Sequence, residues 1–497
     1  MPSPELVCPT CHESLSSTES SQVLQCNRDG LQFPLIDGIP SFTRALKEPG
    51  VLRGCALTVM IPALNEAANL DHILPQLKSA LAALGPSHEV LVVDGGSSDG
   101  TQDIVRKHGA RLISQKRPGF GGAYVAGFEQ ARGEYLVTLD ADGSHDPSVL
   151  ADLWTGRQLA EVVIASRYVD GGSAVMPRWR RFLSRVLNAA FRRGLSLPVR
   201  DLSSGFRLYR TAVLREIDPR ASDFDILEEI LIRALAAGYR VHEIPFSYRA
   251  RVNGRSHARL FKFARSYLRT FLAMWRLRNS IASADYDARA YDSVIPLQRY
   301  WQRRRCAVIA RRAQGFSRAL DVGCGSSRML ALVPGMIGLD IQLHKLRYAR
   351  RYGNRLVQGS IFELPFADAS FDCLVCSEVV EHIPAQEKPF DELTRVLKID
   401  GRLILGTPDY DRWRWRALEW LYGHLSPGGY ADEHITHYSR ANLSRYLQGK
   451  GFAIEAIDYV GGSEMIFTLR KLAPMASPVA AQPIETALHG RRSTKAA

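Results

Sequence analysis

The chain has 497 residues, which is too long for one hydrophobic core and indicates two to four domains. Apolar residues make up 46% and charged residues 23%, as in ordinary globular proteins. No apolar run approaches the roughly 18 residues of a membrane-spanning helix, and the opening MPSPELVCPTC lacks a secretory signal pattern. Eight cysteines fit a reducing compartment better than a disulfide scaffold, so we expect a cytoplasmic protein.

The net charge of +13 is concentrated in two stretches. Met176–Arg193 holds six arginines and no acidic residue, and residues 259–312 hold 13 Lys or Arg against three Asp. Arg259–Ser280 spaces its apolar residues as a basic amphipathic helix does. Such stretches suit an anionic membrane surface, nucleic acid or a phosphorylated substrate, and a solvated helix face is the alternative. We expect a peripheral position at the inner face of a membrane and no nucleic-acid partner.

Apolar strand-like runs alternate with helical patterns through most of the chain, which predicts α/β folds with mostly parallel sheets. The first block contains LTVMIP, EVLVVD, ARLISQ, YLVTLD and EVVIAS, and the second contains ALDVGC, MIGLDI, FDCLVC and GRLILGTP. The predicted boundaries are a cysteine-bearing segment at 1–43, domains at 57–280 and 296–470, and a disordered tail at 471–497. Residues 281–295 are expected to connect the two domains.

The cysteines near the start have the spacing of a zinc ribbon. Cys8 and Cys11 are followed by Cys26 and, three positions later, by Asp29 in place of a fourth thiolate. Zinc accepts thiolate and carboxylate ligands in a tetrahedral site, so a Cys3Asp site is chemically possible. CPTC, LQCNRD and FPLIDGIPSF resemble the small zinc-ribbon family that includes activator subunits of tRNA and protein methyltransferases. A folded remnant with three free thiols is the alternative. FDCLVC, with Cys373 and Cys376, is interpreted as buried core, because positions i and i+3 of a strand face opposite ways.

Three acidic loops follow predicted strands of the first block: PALNE (62–66), VVDGGSSDGT (92–101) and DADGSHDP (140–147). Because such loops share one edge of a parallel sheet, we expect them to form one site. Asp140 and Asp142 suit Mg²⁺ or Mn²⁺ bridging a diphosphate. Asp94 is placed to bind ribose or base, and Pro62, Asn65 and Glu66 lie in the PALNE loop of the same edge.

These loops resemble family-2 glycosyltransferases, and among them the dolichol- or polyprenyl-phosphate sugar synthases. The resemblance spans about 57–260 and continues through ASRY (165–168), DLSSGFRLYR (201–210) and EIPFSYRARVNGRS (243–256). It implies a GT-A-like fold and an inverting transfer from a nucleoside-diphosphate sugar. It also implies Asp142 as the principal metal ligand, with Asp140 supporting it. By the same resemblance Arg167, Arg180, Ser184 and Arg251 contact the acceptor phosphate or the diphosphate.

The acceptor chemistry leaves two alternatives. A polyprenyl phosphate is already anionic and needs arginines rather than a base, whereas a soluble glycan or natural-product hydroxyl needs a carboxylate base such as Glu228 or Glu229. Two positions depart from the family pattern: Ser144 stands where a metal-binding Gln is frequent, and His257 follows Ser256 in place of Lys.

LDVGCGSS (320–327) and GLDI (338–341) predict a strand, a glycine turn and a second strand ending in a carboxylate. Asp340 lies 19 residues after Asp321, the spacing of a carboxylate on ribose hydroxyls, and Gly323 and Gly325 permit close approach of a ligand. With QGSIFELPFADASFDCLVCSEVVEHI and RVLKIDGRLILGTPD, the segment 319–468 resembles class I methyltransferases that use S-adenosylmethionine (SAM).

That resemblance implies a Rossmann-like domain that binds SAM through Asp321, Gly323, Gly325 and Asp340. Ser327 replaces a common glycine, and Ser360 stands where an acid often binds adenine. His382, His434 and His437 are candidate acceptor-side groups, and packing residues are the alternative. We therefore expect a bifunctional glycosyltransferase and methyltransferase. A methyltransferase domain that serves only as a SAM-binding or docking module is the alternative.

Overall fold

A computed structural model describes residues 6–17, 22–43, 54–249, 260–425 and 434–473. The chain divides into two compact units. One is Gly50–Arg278, and the other combines Met1–Pro49 with Asn279–Ala497. Most of the predicted tail, from residue 474 onward, lies outside the described residues.

The N-terminal segment forms a small antiparallel sheet in the order β1-β2-β3-β4. Its strands are β1 (Leu15–Ser17), β2 (Val23–Cys26), β3 (Gln32–Ile36) and β4 (Ile39–Pro40).

The unit Gly50–Arg278 is built on a seven-stranded sheet in the order β12-β9-β11-β8-β5-β6-β7. Its strands, with a separate two-stranded pair of β10 and β13, are β5 (Leu57–Ala63), β6 (His88–Asp94), β7 (Arg111–Ser114), β8 (Tyr135–Thr138), β9 (Val162–Ser166), β10 (Ser173–Ala174), β11 (Arg207–Arg210), β12 (Val241–Pro245) and β13 (Ser247–Tyr248). All five predicted strands of this block are confirmed. Within the seven-stranded sheet β11 runs antiparallel to β8 and β9, and the other pairings are parallel.

Helices cover both faces of this sheet, because its strands are apolar on both sides and a parallel sheet must bury both. The helices are α1 (Ala67–Leu84), α2 (Thr101–Lys107), α3 (Phe120–Gln130), α4 (Leu150–Gly156), α5 (Arg178–Gly194), α6 (Thr211–Glu216), α7 (Ile226–Ala236) and α8 (Leu260–Arg278). A 3-10 turn, Pro147–Val149, precedes α4.

The second unit has a seven-stranded sheet in the order β16-β15-β14-β17-β18-β20-β19, with β20 antiparallel to both of its neighbours. Its strands are β14 (Ala319–Val322), β15 (Ile337–Asp340), β16 (Leu356–Gln358), β17 (Phe371–Ser377), β18 (Leu397–Pro408), β19 (Phe452–Val460) and β20 (Glu464–Lys471). Its helices are α9 (Tyr286–Tyr291), α10 (Pro296–Ala313), α11 (Met329–Leu332), α12 (Leu343–Ala349), α13 (Lys388–Val396), α14 (Trp413–Leu425) and α15 (Arg440–Gly449).

The interpretation of FDCLVC as core is confirmed. Cys373 and Cys376 are fully buried in β17, and they belong to the hydrophobic clusters on opposite faces of the sheet.

The N-terminal sheet packs directly on the β14–β20 sheet. The amide of Phe42 donates to the carbonyl of Gln358 at 2.8 Å, and Ser41 Oγ donates to Gln358 Oε1 at 2.7 Å. Arg347 on α12 pairs with Asp37 at 2.8 Å, with side chains 6% and 13% exposed. The cysteine-bearing segment is therefore integrated into the second unit.

We predict that Arg347→Met destabilises the second unit by roughly 3 kcal/mol, because it removes the guanidinium that pairs with the largely buried carboxylate of Asp37. Calorimetric unfolding of the full chain measures the change. Arg351→Met, which removes an exposed arginine of the same region, is the matched control and should stay within about 0.5 kcal/mol of the parent. Equal unfolding temperatures for the two variants would contradict the packing role of this ion pair.

Candidate functional site

Asp94 is held rigidly at the carboxyl end of β6. Its side chain is buried and accepts hydrogen bonds from the amides of Gly96 and Ser97 at 3.2 Å and from Gln102 Nε2 at 2.8 Å. Burial by itself raises the pKa of Asp94, but the hydrogen bonds outweigh burial and hold the pKa below its ordinary value. Asp94 is therefore an ionised acceptor at neutral pH.

The PALNE loop is joined to the loop after β6. Pro62 lies near the end of β5, and Asn65 follows in a left-handed conformation with φ of 57°. Asn65 Oδ1 accepts from the amide of Ser98 at 2.9 Å, and the amide of Glu66 donates to Thr101 Oγ1 at 2.9 Å. The structure thus brings together two of the three predicted loops.

The third loop begins after β8, which neighbours β5 in the sheet. Asp142 is 5% exposed, and its Oδ1 accepts from the amide of Ser144 at 3.0 Å and from Ser144 Oγ at 2.5 Å. The Asp140 side chain is 32% exposed. Ser144, at the position where the family frequently has Gln, therefore fixes the orientation of Asp142.

His145 supports this turn as a neutral ring. It is 2% exposed and stacks on Phe206 at 4.9 Å, and its Nδ1 accepts from the amide of Asp140 at 3.0 Å. Burial lowers the pKa of His145 although Asp140 and Asp142 lie nearby. With Nδ1 occupied by the backbone, the ring orients Asp140.

Arg167 is locked by a buried carboxylate. Its Nε and Nη2 donate to the two oxygens of Asp201 at 2.8 and 2.7 Å, and Nη2 also donates to Ser203 Oγ at 2.8 Å. Burial opposes the charge of Arg167, but Asp201 outweighs it and raises the pKa of the guanidinium. Most of its donors are therefore committed within the protein.

An arginine-rich cavity of about 360 Å³ adjoins this pair. Besides Arg167 it is lined by Arg185, Arg192 and Arg200. Ser184, on the same helix, accepts from the hydroxyl of Tyr168 at 2.8 Å. These three arginines were not among the predicted site residues. In the sequence Arg185 and Arg192 are part of a basic stretch, and only the fold brings α5 next to the loop that carries Arg167.

Two predicted arginines are not described in full. Arg180 lies on α5, and Arg251 falls outside the described residues.

Both candidate bases, Glu228 and Glu229, lie on α7. Glu229 accepts from the amides of Arg220 and Ala221 and from Arg233 Nε. Burial raises the pKa of Glu228 to about 8. Glu229 thus fixes the backbone, and Glu228 is a core residue on α7.

Helices α5 and α8 pack together and expose apolar side chains. Phe191 contacts Tyr267 and Phe271, with ring centroids 6.1 and 5.2 Å apart. The outer faces carry exposed apolar side chains at helical spacing: Trp179, Phe182, Leu183, Val186, Leu268, Leu272 and Trp275. In the described part of the chain no helix is both long and apolar enough to cross a membrane.

The second unit contains a cavity of about 450 Å³ at the carboxyl ends of β14, β15 and β17. Asp321, Gly323, Gly325 and Asp340, the four predicted SAM-binding residues, all line it. Asp340 accepts from the amide of Gly325 at 2.8 Å and from that of Gln342 at 2.7 Å. The volume of this cavity lies within the roughly 300–1,000 Å³ typical of small-molecule sites. Burial, with the charge of Asp340 beside it, raises the pKa of Asp321 to about 7.

Asp287 on α9 contacts the glycine turn and was missed. Its Oδ2 accepts from the amide and hydroxyl of Ser326 at 3.1 Å and lies 3.4 Å from Lys345 Nζ. A Cβ added to Gly325 would stand 2.6 Å from this oxygen, and φ there is +53°, so the turn requires glycine. Residues 281–295, interpreted as a connection, therefore contribute to the cavity wall.

Two of the candidate acceptor-side histidines, His382 and His434, line the same cavity. His437 is exposed and stacks on Tyr410 at 4.0 Å. Ser360, at the predicted adenine position, also lines the cavity.

The N-terminal cysteines converge with Asp29. Ligand atoms of Cys8, Cys11, Cys26 and Asp29 all lie within 4.8 Å of one another. Cys11 Sγ and Cys26 Sγ are 3.5 Å apart, close to the roughly 3.8 Å expected for two thiolates on one tetrahedral zinc. The donor set and its spacing fit that ion.

Comparisons with known proteins agree with both units. The model of "Glycosyl transferase family 2" matches residues 58–218, and that of "Methyltransferase domain" matches residues 320–405. The chain is 36% identical to a polyprenol monophosphomannose synthase of Mycolicibacterium smegmatis, over 42% of this chain and 84% of that protein. It is also 36% identical to an undecaprenyl-phosphate mannosyltransferase of Micrococcus luteus, over 40% of this chain and 85% of that protein.

The chain is also similar to a solved structure, with 23% sequence identity. That structure is glucosyl-3-phosphoglycerate synthase from Mycobacterium tuberculosis in complex with Mn²⁺, UDP-glucose and phosphoglyceric acid. It aligns with 47% of this chain and 86% of that chain, at a TM-score of 0.37. From the family models and the curated relatives, the chain belongs to glycosyltransferase family 2, and the same polypeptide carries a methyltransferase domain.

Proposed function

We propose that the unit Gly50–Arg278 transfers a sugar from a nucleoside diphosphate to a polyprenyl phosphate. The observation that carries this proposal is the pairing of an acidic sheet edge with an arginine-lined cavity in one unit. The edge carries Asp94, Asp140 and Asp142, and the cavity carries Arg167 and three further arginines. The names of the two mannosyltransferase relatives support this acceptor class and make mannose the first sugar to test.

Asp142, with Asp140 beside it, would hold Mg²⁺ or Mn²⁺. Both side chains offer hard oxygen ligands next to a strand end, which is the donor type these ions prefer. When bound, the ion neutralises negative charge on the leaving diphosphate. Asp94 is already ionised and rigid, and it would accept hydrogen bonds from the base or ribose of the nucleotide.

The acceptor phosphate would lie against the arginines. A phosphate monoester is anionic at neutral pH and needs no base, but it must be held beside a second anion, which guanidinium groups do well. Arg180 and Arg251 remain proposals for the same role, from the family resemblance. Glu229 is fully engaged by backbone amides and Arg233, and Glu228 is buried, so neither contact pattern favours a hydroxyl acceptor.

We predict that Asp142→Asn lowers sugar transfer at least about a hundredfold, since it weakens the metal ligand while preserving the hydrogen bond from Ser144. Transfer of radiolabelled sugar to polyprenyl phosphate measures the loss, and GDP-mannose is the first donor to test. Asp152→Asn, at an exposed position on α4, is the matched control. Unchanged transfer by Asp142→Asn would refute the assignment of the metal site.

The exposed apolar faces of α5 and α8 would bring the unit to an anionic membrane, where the acceptor resides. Arginines flank the exposed aromatic residues, and basic residues near an anionic surface contribute about 1 kcal/mol each. These features support the proposal of a cytoplasmic protein that binds peripherally to the inner face of the membrane.

We expect flotation with phosphatidylglycerol-containing liposomes at low salt, and less flotation as ionic strength rises. Trp179→Ser combined with Phe182→Ser should weaken binding at least about tenfold, because two exposed aromatic side chains lose their burial in the interface. Leu159→Ser removes an equally exposed apolar residue away from these helices and should leave flotation unchanged. Equal recovery of the double variant and the parent would exclude this face as the membrane contact.

For the second unit we propose SAM-dependent methylation of a small molecule or glycan. Asp340 would accept from the ribose hydroxyls, and the glycine turn would admit the methionine part of SAM. Asp287, close to the turn, would accept from the ammonium group of that part. The alternative is a domain that binds SAM without transferring its methyl group.

Calorimetry of the full chain should detect SAM binding that weakens at least about tenfold in Asp340→Ala, since a charge-assisted hydrogen bond is worth roughly 1.5–3 kcal/mol. Asp368→Ala, with a side chain 73% exposed, is the control. An absence of binding at millimolar SAM would favour a docking role. Binding without methyl transfer to a glycolipid product would remove only the proposed acceptor.

Zinc is proposed for the N-terminal segment, held by Cys8, Cys11, Cys26 and Asp29. The ion would act structurally, because four protein ligands close a tetrahedral site. Since this segment packs on the sheet of the methyltransferase unit, zinc would stabilise that unit.

A further inference from the structure

A second group of potential metal ligands lies in the wall of the methyltransferase cavity. Glu381 and His382 belong to the 3-10 turn Val380–His382 after β17, and His434 precedes α15. One ligand atom from each lies within 4.8 Å of those of the other two. Among the described residues, only this group and the cysteine group have such an arrangement.

The hydrogen bonds of His434 leave its Nε2 available as a ligand. Its Nδ1 lies 2.8 Å from Glu419 Oε1, and a carboxylate only accepts, so Nδ1 carries the proton. Nε2 then presents a lone pair, and it is buried without a hydrogen-bond partner among the described residues. A carboxylate behind a histidine is the usual support of a metal-binding imidazole.

Glu381 is fully buried next to this ring. Its Oε2 accepts from Thr407 Oγ1 at 3.1 Å, whereas its Oε1 has no hydrogen-bond partner among the described residues. The carbonyl of Glu381 accepts from the amides of Ile435 and Thr436 at 2.8 and 3.0 Å, which holds the His434 segment against the 3-10 turn. A buried carboxylate oxygen without a partner is costly, and a cation would satisfy it.

We propose that Glu381, His382 and His434 bind a divalent cation at the acceptor end of this cavity. Two imidazoles and one carboxylate suit a first-row ion such as Zn²⁺, Mn²⁺ or Fe²⁺ and leave coordination positions open. His382 and His434 line the cavity, so the open positions face the space left for a methyl acceptor. A hydroxyl is the acceptor class that such an ion favours. This last role rests on the proposed methyl transfer, whereas the cation site does not.

The test separates this site from the cysteine group. The full chain carrying Cys8→Ser, Cys26→Ser and Asp142→Asn, which removes the principal ligand of the metal site proposed for the glycosyltransferase unit, is stripped with a chelator. It is then titrated with Co²⁺, Zn²⁺ and Mn²⁺ in the absence of SAM. We expect about one equivalent of bound metal by mass spectrometry. The Co²⁺ visible spectrum should show nitrogen and oxygen ligands without thiolate charge-transfer bands.

In the same background, His382→Ala combined with His434→Ala should abolish binding, whereas His437→Ala should retain it. His437 is exposed, lies three residues from His434 and is outside the ligand group, which makes it the matched control. The proposal is overturned if the Cys8→Ser, Cys26→Ser and Asp142→Asn background binds no divalent ion, a result that needs no pocket variant to fold. It is also overturned if the double histidine variant keeps its metal. Neither result bears on SAM binding, which Asp340→Ala tests separately.

Discussion

Backbone amides hold the carboxylates on which both candidate sites depend. Asp94 and Asp142 accept from amides of the turns that follow them, and Asp340 accepts from the amides of Gly325 and Gln342. Each carboxylate is at least nine-tenths buried, and a buried charge is tolerated only when its oxygens are satisfied. The tight turns at the strand ends are therefore the condition for placing these charges where a ligand can reach them.

The arginine-lined cavity of the glycosyltransferase unit carries a net positive charge. Asp201 neutralises Arg167, so this pair fixes the position of the guanidinium without adding net charge to the cavity. Among the described residues, Arg200 pairs with the fully exposed Asp170 at 3.5 Å, a contact of little energy. Within the described residues Arg185 and Arg192 have no acidic partner. The positive charge of this cavity that no acidic side chain offsets thus comes mainly from α5, whereas the paired Arg167 forms part of its wall.

The sequence predicted the elements whose signal is local. Apolar runs that lead into acidic loops or glycine turns predicted the strands β5, β6, β8, β14 and β15, and with them the residues that follow. Asp287 could not be found this way, because α9 is a short polar helix whose contact with Ser326 spans 39 residues. The cavity arginines share that limitation: their spacing on α5 indicates an amphipathic helix, but only packing brings Arg185 and Arg192 beside Arg167 and Arg200.

The histidines show why residue type alone is a weak guide to role. His145, His434 and His437 look equivalent in the sequence, yet their hydrogen bonds divide them. A backbone amide occupies Nδ1 of His145, and a carboxylate orients His434 with Nε2 toward a buried acid. His437 is exposed against Tyr410. The position of His434 next to Glu381 depends on the backbone hydrogen bond from the amide of Ile435 to the carbonyl of Glu381. These two segments are far apart in the sequence, and only tertiary packing brings them together. For these histidines, whether one ring nitrogen is available as a ligand therefore depends on what the other ring nitrogen contacts.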